Sequence, residues 1–127
     1  MLEMQKLFLV GIGGSVGAML RYFVFRLFFA FEIRGAIPYH TLLINLVGCF
    51  LIGLLATIFP DIENNQITRL FLLTGILGGF TTYSAFGLEI DELIRGGSLL
   101  AAATYVSISI IVGLLAVAAG ISLGKSF

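Results

Sequence analysis

Four long apolar runs, parted by short polar clusters, constrain this chain more than any motif in it. They cover residues 7–31, 37–59, 67–88 and 99–123. At about 1.5 Å of rise per residue, each reaches across the roughly 30 Å of a bilayer's hydrocarbon with some tilt. Only 11% of the 127 residues are charged, where a soluble domain carries about a quarter. The expected architecture is an all-α membrane protein: one four-helix transmembrane domain over residues 1–127, with no linker and no second domain. The first run is too long for the apolar core of a signal peptide, and no small-residue cleavage site follows it, so it is expected to remain as an anchor. The single Cys49 excludes an intrachain disulfide.

The connectors hold most of the charge: Glu32, Arg34 and His40; then Pro60, Asp61, Glu63, Asn64, Asn65 and Gln66; then Asp91, Glu92, Arg95, Gly96 and Gly97. With an even number of crossings, Lys6, Arg69 and Lys125 fall on one side and Arg26, Arg34 and Arg95 on the other. Three against three leaves the positive-inside rule without a preference. Such a balance lets the chain insert both ways round, and two oppositely oriented copies can then pair about an axis in the membrane plane.

The third run contains a stretch, GILGGFTTYSAF over residues 75–86, that an ordinary helix would not hold. Gly78 and Gly79 gain backbone freedom by leaving a helix, and Thr81 and Thr82 are stiff at χ1 with hydroxyls that compete for backbone partners. A helix that breaks here is expected. Bare N–H and C=O groups cost several kcal/mol in hydrocarbon, so unwound backbone is tolerated only against protein or a wet cavity. The break therefore marks a functional site, and carbonyls freed at Gly78 and Thr81 could coordinate a small cation.

Polar residues in the other runs fall into stripes. Arg21 sits mid-run, where insertion of an arginine costs about 2.5–3.5 kcal/mol. It either satisfies helix-end carbonyls or attracts an anion. Thr41, Asn45, Gly48 and Cys49 share one face of the second run, and Tyr105, Ser109 and Gly113 share one face of the fourth. These stripes are rich in N–H and O–H donors, which suits stripping water from a small anion, and equally suits interhelical hydrogen bonding. Ser107 points elsewhere and reads as interhelical glue. Phe80, Tyr83 and Phe86 recur every three residues, either as packing or as electropositive ring edges offered to an anion. Glu89 reads as a vestibule or interfacial group. The small-residue spacings Gly13 and Gly17, and Ala116, Gly120 and Gly124, read as helix packing before any dimer seam.

Together these residues resemble the Fluc/CrcB-type fluoride channels. GGSVGAMLRY over 13–22 is similar to that family's first-helix motif, TLLINLVG over 41–48 to its second, and GGFTTYSAF over 78–86 to its third. The resemblance implies an antiparallel, dual-topology homodimer with two pores, a broken third helix and a structural sodium ion at the dimer centre. The sodium would be held by the carbonyls of Gly78 and Thr81 from each subunit. The fluoride pore would fall on Asn45, Tyr83, Phe86, Tyr105 and Ser109, with Thr41 and Thr82 in its wall, and Arg21 and Glu89 in the vestibule. Tyr83 stands where the family usually has Phe, keeping a ring edge and adding a hydroxyl.

The function implied is passive, fluoride-selective export across a bacterial inner membrane, with membrane lipid and a second copy as partners. Neither an enzyme nor a nucleic-acid partner is expected: there is no nucleotide-binding loop, His40 is alone and Cys49 has no partner for a catalytic pair. Two rivals stand beside this reading. A small multidrug-type proton-coupled antiporter has similar length and topology but relies on a carboxylate in its first helix, where this chain has Arg21. A non-transporting membrane assembly subunit would need only the glycine-rich helices.

Overall fold

In the computed structural model, which describes residues 2–33, 35–59 and 65–127, each apolar run is mainly helical, the third with Thr81 and Thr82 outside the helix. α1 spans Glu3–Ala30, α2 spans Tyr39–Ile58, and the final helix, α5, spans Leu99–Gly124. Between α2 and α5, α3 occupies residues 66–80 and α4 spans Tyr83–Arg95. Within α3 the winding changes. After one α-helical turn, Gln66–Thr68, the stretch Arg69–Leu77 is π-helical, and Gly78–Phe80 returns to α geometry. Four spans, with α3 and α4 counted together as Gln66–Arg95, are long and apolar enough to cross a membrane. The protein is a multi-pass membrane protein. The expected connector residues Arg34, Pro60, Asp61, Glu63 and Asn64 lie outside the described residues.

Local chemistry sets where the helices stop. Ser98 N–H bonds the Leu93 carbonyl at 2.8 Å and Gly97 N–H bonds that of Ile94 at 3.0 Å, with Gly97 at φ 77°. That is a Schellman end, for which glycine is the least strained residue. α1 ends the same way, Ile33 N–H on Phe28 and Glu32 N–H on Phe29, but the left-handed position holds Glu32 at φ 52°. Asn65 opens α3 by accepting Thr68 N–H on its side chain at 3.1 Å. The third span runs further than its apolar residues suggest: Asp91, Glu92 and Arg95, read above as connector, belong to α4. They are exposed there, and Arg95 pairs with Asp91 at 2.7 Å, so the polar residues lie along a helix that continues past its apolar stretch.

Two glycine-lined seams bring the spans together. A Cβ added to Gly13 would sit 2.5 Å from the Phe71 carbonyl and 3.0 Å from the Gly75 Cα, and one on Gly79 would sit 3.0 Å from the Gly14 Cα. Gly17 likewise faces the backbone of Ile76, Gly79 and Phe80. α1 and α3 thus touch backbone to backbone, the close approach that apolar helices use when water offers no driving force. α2 and α5 meet similarly through Gly53 against Val117 and Gly120 against Phe50 and Leu54. The GxxxG spacing of α1 and the small residues of α5 therefore serve packing within the chain. The few fully enclosed side chains, Tyr105, Ile44 and Thr41, gather where α2, α4 and α5 converge.

Candidate functional site

Thr81 and Thr82, between α3 and α4, have extended backbones, with φ/ψ of −76/158° and −148/119°. Of the four residues the sequence marks as unfavourable to helix, Gly78 and Gly79 remain helical, and these two threonines carry the departure. Gly79 is kept small by contact with Gly14. Each threonine supplies a substitute bond. Thr81 Oγ1 donates to the Leu77 carbonyl at 2.9 Å, and Thr82 Oγ1 accepts Ala85 N–H at 3.2 Å as the N-cap of α4.

Asn45 completes the accounting. Its Nδ2 donates to the Thr82 carbonyl at 3.0 Å, and its Oδ1 accepts Thr82 N–H at 2.9 Å. One side-chain amide thus pairs both polar groups of an extended residue, as a neighbouring strand would. Of the helical bonds forgone at this break, two have their donors paired again. A continuous helix would give Thr82 N–H to the Gly78 carbonyl and Ala85 N–H to the Thr81 carbonyl. Here those donors go to Asn45 and to the Thr82 hydroxyl, and among the described residues Thr81 O receives only Arg21 Nη1, at 3.5 Å.

Two cavities flank these residues. The larger, about 480 Å³, is lined by Asn45, Gly48, Cys49, Gly78, Thr81, Thr82, Tyr83, Phe86 and Ser109, with apolar side chains between. Ser109 Oγ is buried there without a hydrogen-bond partner among the described residues, and a buried hydroxyl left unmade costs about 1–3 kcal/mol. Tyr83, 85% exposed, stands at the edge of this cavity with its ring 5.9 Å from that of Phe86. The second cavity, about 440 Å³, is lined by Arg21, His40, Thr41, Thr82 and Glu89, among others.

A polar cluster on the second cavity joins α2, α4 and α5. Glu89 accepts Thr41 Oγ1 at 2.6 Å on one carboxylate oxygen and the Tyr105 hydroxyl at 2.7 Å on the other, with His40 Nε2 3.4 Å from the first. Phe86 lines the larger cavity and meets the enclosed ring of Tyr105 edge-on at 5.1 Å and 67°. The residues singled out from sequence therefore divide. Asn45, Thr82, Tyr83, Phe86, Ser109, Gly78 and Thr81 share the larger cavity; Arg21, Thr41 and Glu89 share the second, with Thr82 reaching both and Tyr105 bound to Glu89. His40, read above as an isolated connector residue, was missed. Only its position immediately before the Thr41 stripe hints at it.

What the arrangement offers chemically is a wall of N–H and O–H donors and ring edges beside one arginine. The family model for CrcB-like protein, Camphor Resistance (CrcB), matches residues 8–121. A relative from Rhizobium etli, named fluoride-specific ion channel FluC, is 41% identical over 97% of this chain and 98% of its own length. Relatives of the same name from Chloroflexus aurantiacus and Agrobacterium fabrum are each 42% identical over 98% and 97% of this chain, and over 98% of their own lengths.

Proposed function

The chain belongs to the CrcB-like family, and from that premise we propose that it is a fluoride-selective channel through which the anion leaves the cell passively, down its electrochemical gradient. The observation that carries the reading is the single cavity lined by Asn45, Phe86 and Ser109, whose buried hydroxyl has no partner among the described residues. Fluoride is small and strongly hydrated, and a narrow path must replace its water with such donors. Asn45 has two N–H groups and spends one on Thr82, leaving the other for an ion. Phe86 and Tyr83 offer ring edges, which attract an anion without the full charge that would trap it. Thr41, Thr82, Tyr105 and Ser109 form the rest of the path, and Arg21 and Glu89 set the charge of its vestibule.

The working unit in this reading is an antiparallel, dual-topology homodimer in a bacterial inner membrane, with the third span of each copy broken within the bilayer. The balanced charges of the two faces support it, as does the exposed ring of Tyr83 beside Thr81 and Gly78. A sodium ion fits the residues present. The carbonyls of Gly78 and Thr81 have both lost their helical N–H partners to Asn45 and Thr82, and hard cations take oxygen ligands of this kind from unwound backbone. When bound, the ion supplies the positive charge that those carbonyls face. Arg21 Nη1 already stands 3.5 Å from Thr81 O and orients that carbonyl from the side of α1.

No enzymatic step is assigned. An antiporter built on a carboxylate in the first span is disfavoured, since the charged residue in the middle of α1 is Arg21. The test is efflux from liposomes carrying purified protein: fluoride efflux with chloride retained supports the channel, and equal rates for both, or none, overturn it.

A further inference from the structure

We propose that His40 sets the charge of the Glu89 vestibule, so that protonating its imidazole raises fluoride conductance. The inference rests on the fluoride-channel reading and adds to it a residue that neither the motifs nor the pore stripes include. Its first support is distance: Nε2 stands 3.4 Å from Glu89 Oε1, with the His40 side chain 30% and that of Glu89 14% exposed. The second is confinement. The ring lies edge-on to Phe25 at 5.2 Å and to Phe28 at 6.3 Å, so it is held against the carboxylate. The third is position, because His40, Arg21 and Glu89 line one 440 Å³ cavity that reaches Thr82.

The charge balance of that cavity then depends on His40. Around its imidazole, α4 contributes Glu89; α1 contributes Arg21 and Tyr22 to the same cavity, and the turn after α1 contributes Glu32 to a smaller one that the ring also lines. α5 contributes Tyr105, which donates to the far oxygen of Glu89. Thr41 and Tyr105 stabilise the carboxylate with hydrogen bonds but no charge. Imidazole is the ordinary side chain that changes charge between about pH 5 and 8. Neutral, it leaves Arg21 against Glu89 among the described residues that line this cavity, with Glu32 in the smaller one. Protonated, it adds a second cation within ion-pair distance of Glu89 and removes an electrostatic barrier to an arriving anion. The device would favour export under the acidic conditions in which neutral HF crosses lipid and releases fluoride inside.

The experiment is fluoride current across a planar bilayer at symmetric pH, which reads the ion and not neutral HF. In a water-like medium, one unit charge changes the occupancy of an anion about two water diameters away by about two- to threefold. Wild type is expected to conduct about two- to threefold more at pH 5.5 than at pH 8, with a smaller ratio as salt screens the site. His40→Gln should give a ratio near one at the lower level, and His40→Lys a ratio near one at the higher level, each eluting from size exclusion as wild type does. A fluoride current whose pH ratio is absent in wild type, or survives in both variants, overturns this inference alone. No fluoride current in wild type at any pH overturns the channel reading and this inference with it.

Discussion

Replacing Asn45 separates two jobs that the structure gives it. Its amide is the partner of both Thr82 backbone groups, at 2.9 and 3.0 Å. Asn45→Ala leaves that N–H and that carbonyl unpaired in the interior of the bundle, at about 1–3 kcal/mol each, or about 2–6 kcal/mol together. A native state is stable by only about 5–15 kcal/mol, so the loss is a large fraction of the total. Asn45→Asp keeps the acceptor for Thr82 N–H but turns a carboxylate oxygen toward the Thr82 carbonyl. It forfeits one bond, at about 1–3 kcal/mol, and adds the cost of an acid within the span, about 2.5–3.5 kcal/mol. Thermal unfolding of the detergent-purified protein, read by loss of its size-exclusion peak, and fluoride efflux from liposomes measure the two jobs. Both variants should unfold at distinctly lower temperature and lose most of their flux. Wild-type melting in both variants would refute the argument that Asn45 holds the extended backbone, whatever the flux.

Three further perturbations follow from the same geometry. Phe86→Ile keeps bulk but removes the ring edge facing Tyr105 at 5.1 Å; fluoride flux should fall by at least about tenfold, about 1.4 kcal/mol, with the oligomer unchanged on size exclusion, and wild-type flux would take Phe86 off the path. Gly17→Ala would drive a methyl into the Ile76 carbonyl and to 2.8 Å from Phe80 N, whereas a Cβ on Gly11 meets nothing within 4 Å. The first should destabilise by about 1–3 kcal/mol and the second by little, and equal melting temperatures would count against the α1–α3 seam. Glu32→Gly relieves a left-handed residue at φ 52° that costs about 1–2 kcal/mol outside glycine. Its melting temperature should rise slightly, and a fall would show that the Glu32 side chain contributes more than its backbone costs.

Much of this was legible in the sequence because hydrophobic run length translates directly into spans, and small residues at four-residue spacing translate into seams. The residues of the larger cavity were legible too, since Asn45, Gly48 and Cys49 on α2, and Ser109 on α5, follow helical periodicity. Three things were not. The π-helical winding of Arg69–Leu77 leaves no mark that composition or period-3.6 counting detects. The division between glycine and threonine roles depends on what lies across the seam: Gly79 is pinned by Gly14, which only the packing shows. The convergence of His40, Thr41 and Tyr105 on Glu89 joins residues 16 to 49 positions apart in the chain, and no local pattern encodes a contact of that range.

The central claim is that donors gathered around an extended pair of threonines conduct fluoride without coupling to protons. Its most direct measurement is the reversal potential of the purified protein in a planar bilayer under a fluoride gradient, with and without a pH gradient. The account predicts reversal at the fluoride equilibrium potential in both cases, with chloride carrying no measurable current. Reversal that moves with the pH gradient, or a current that chloride carries equally well, would contradict it.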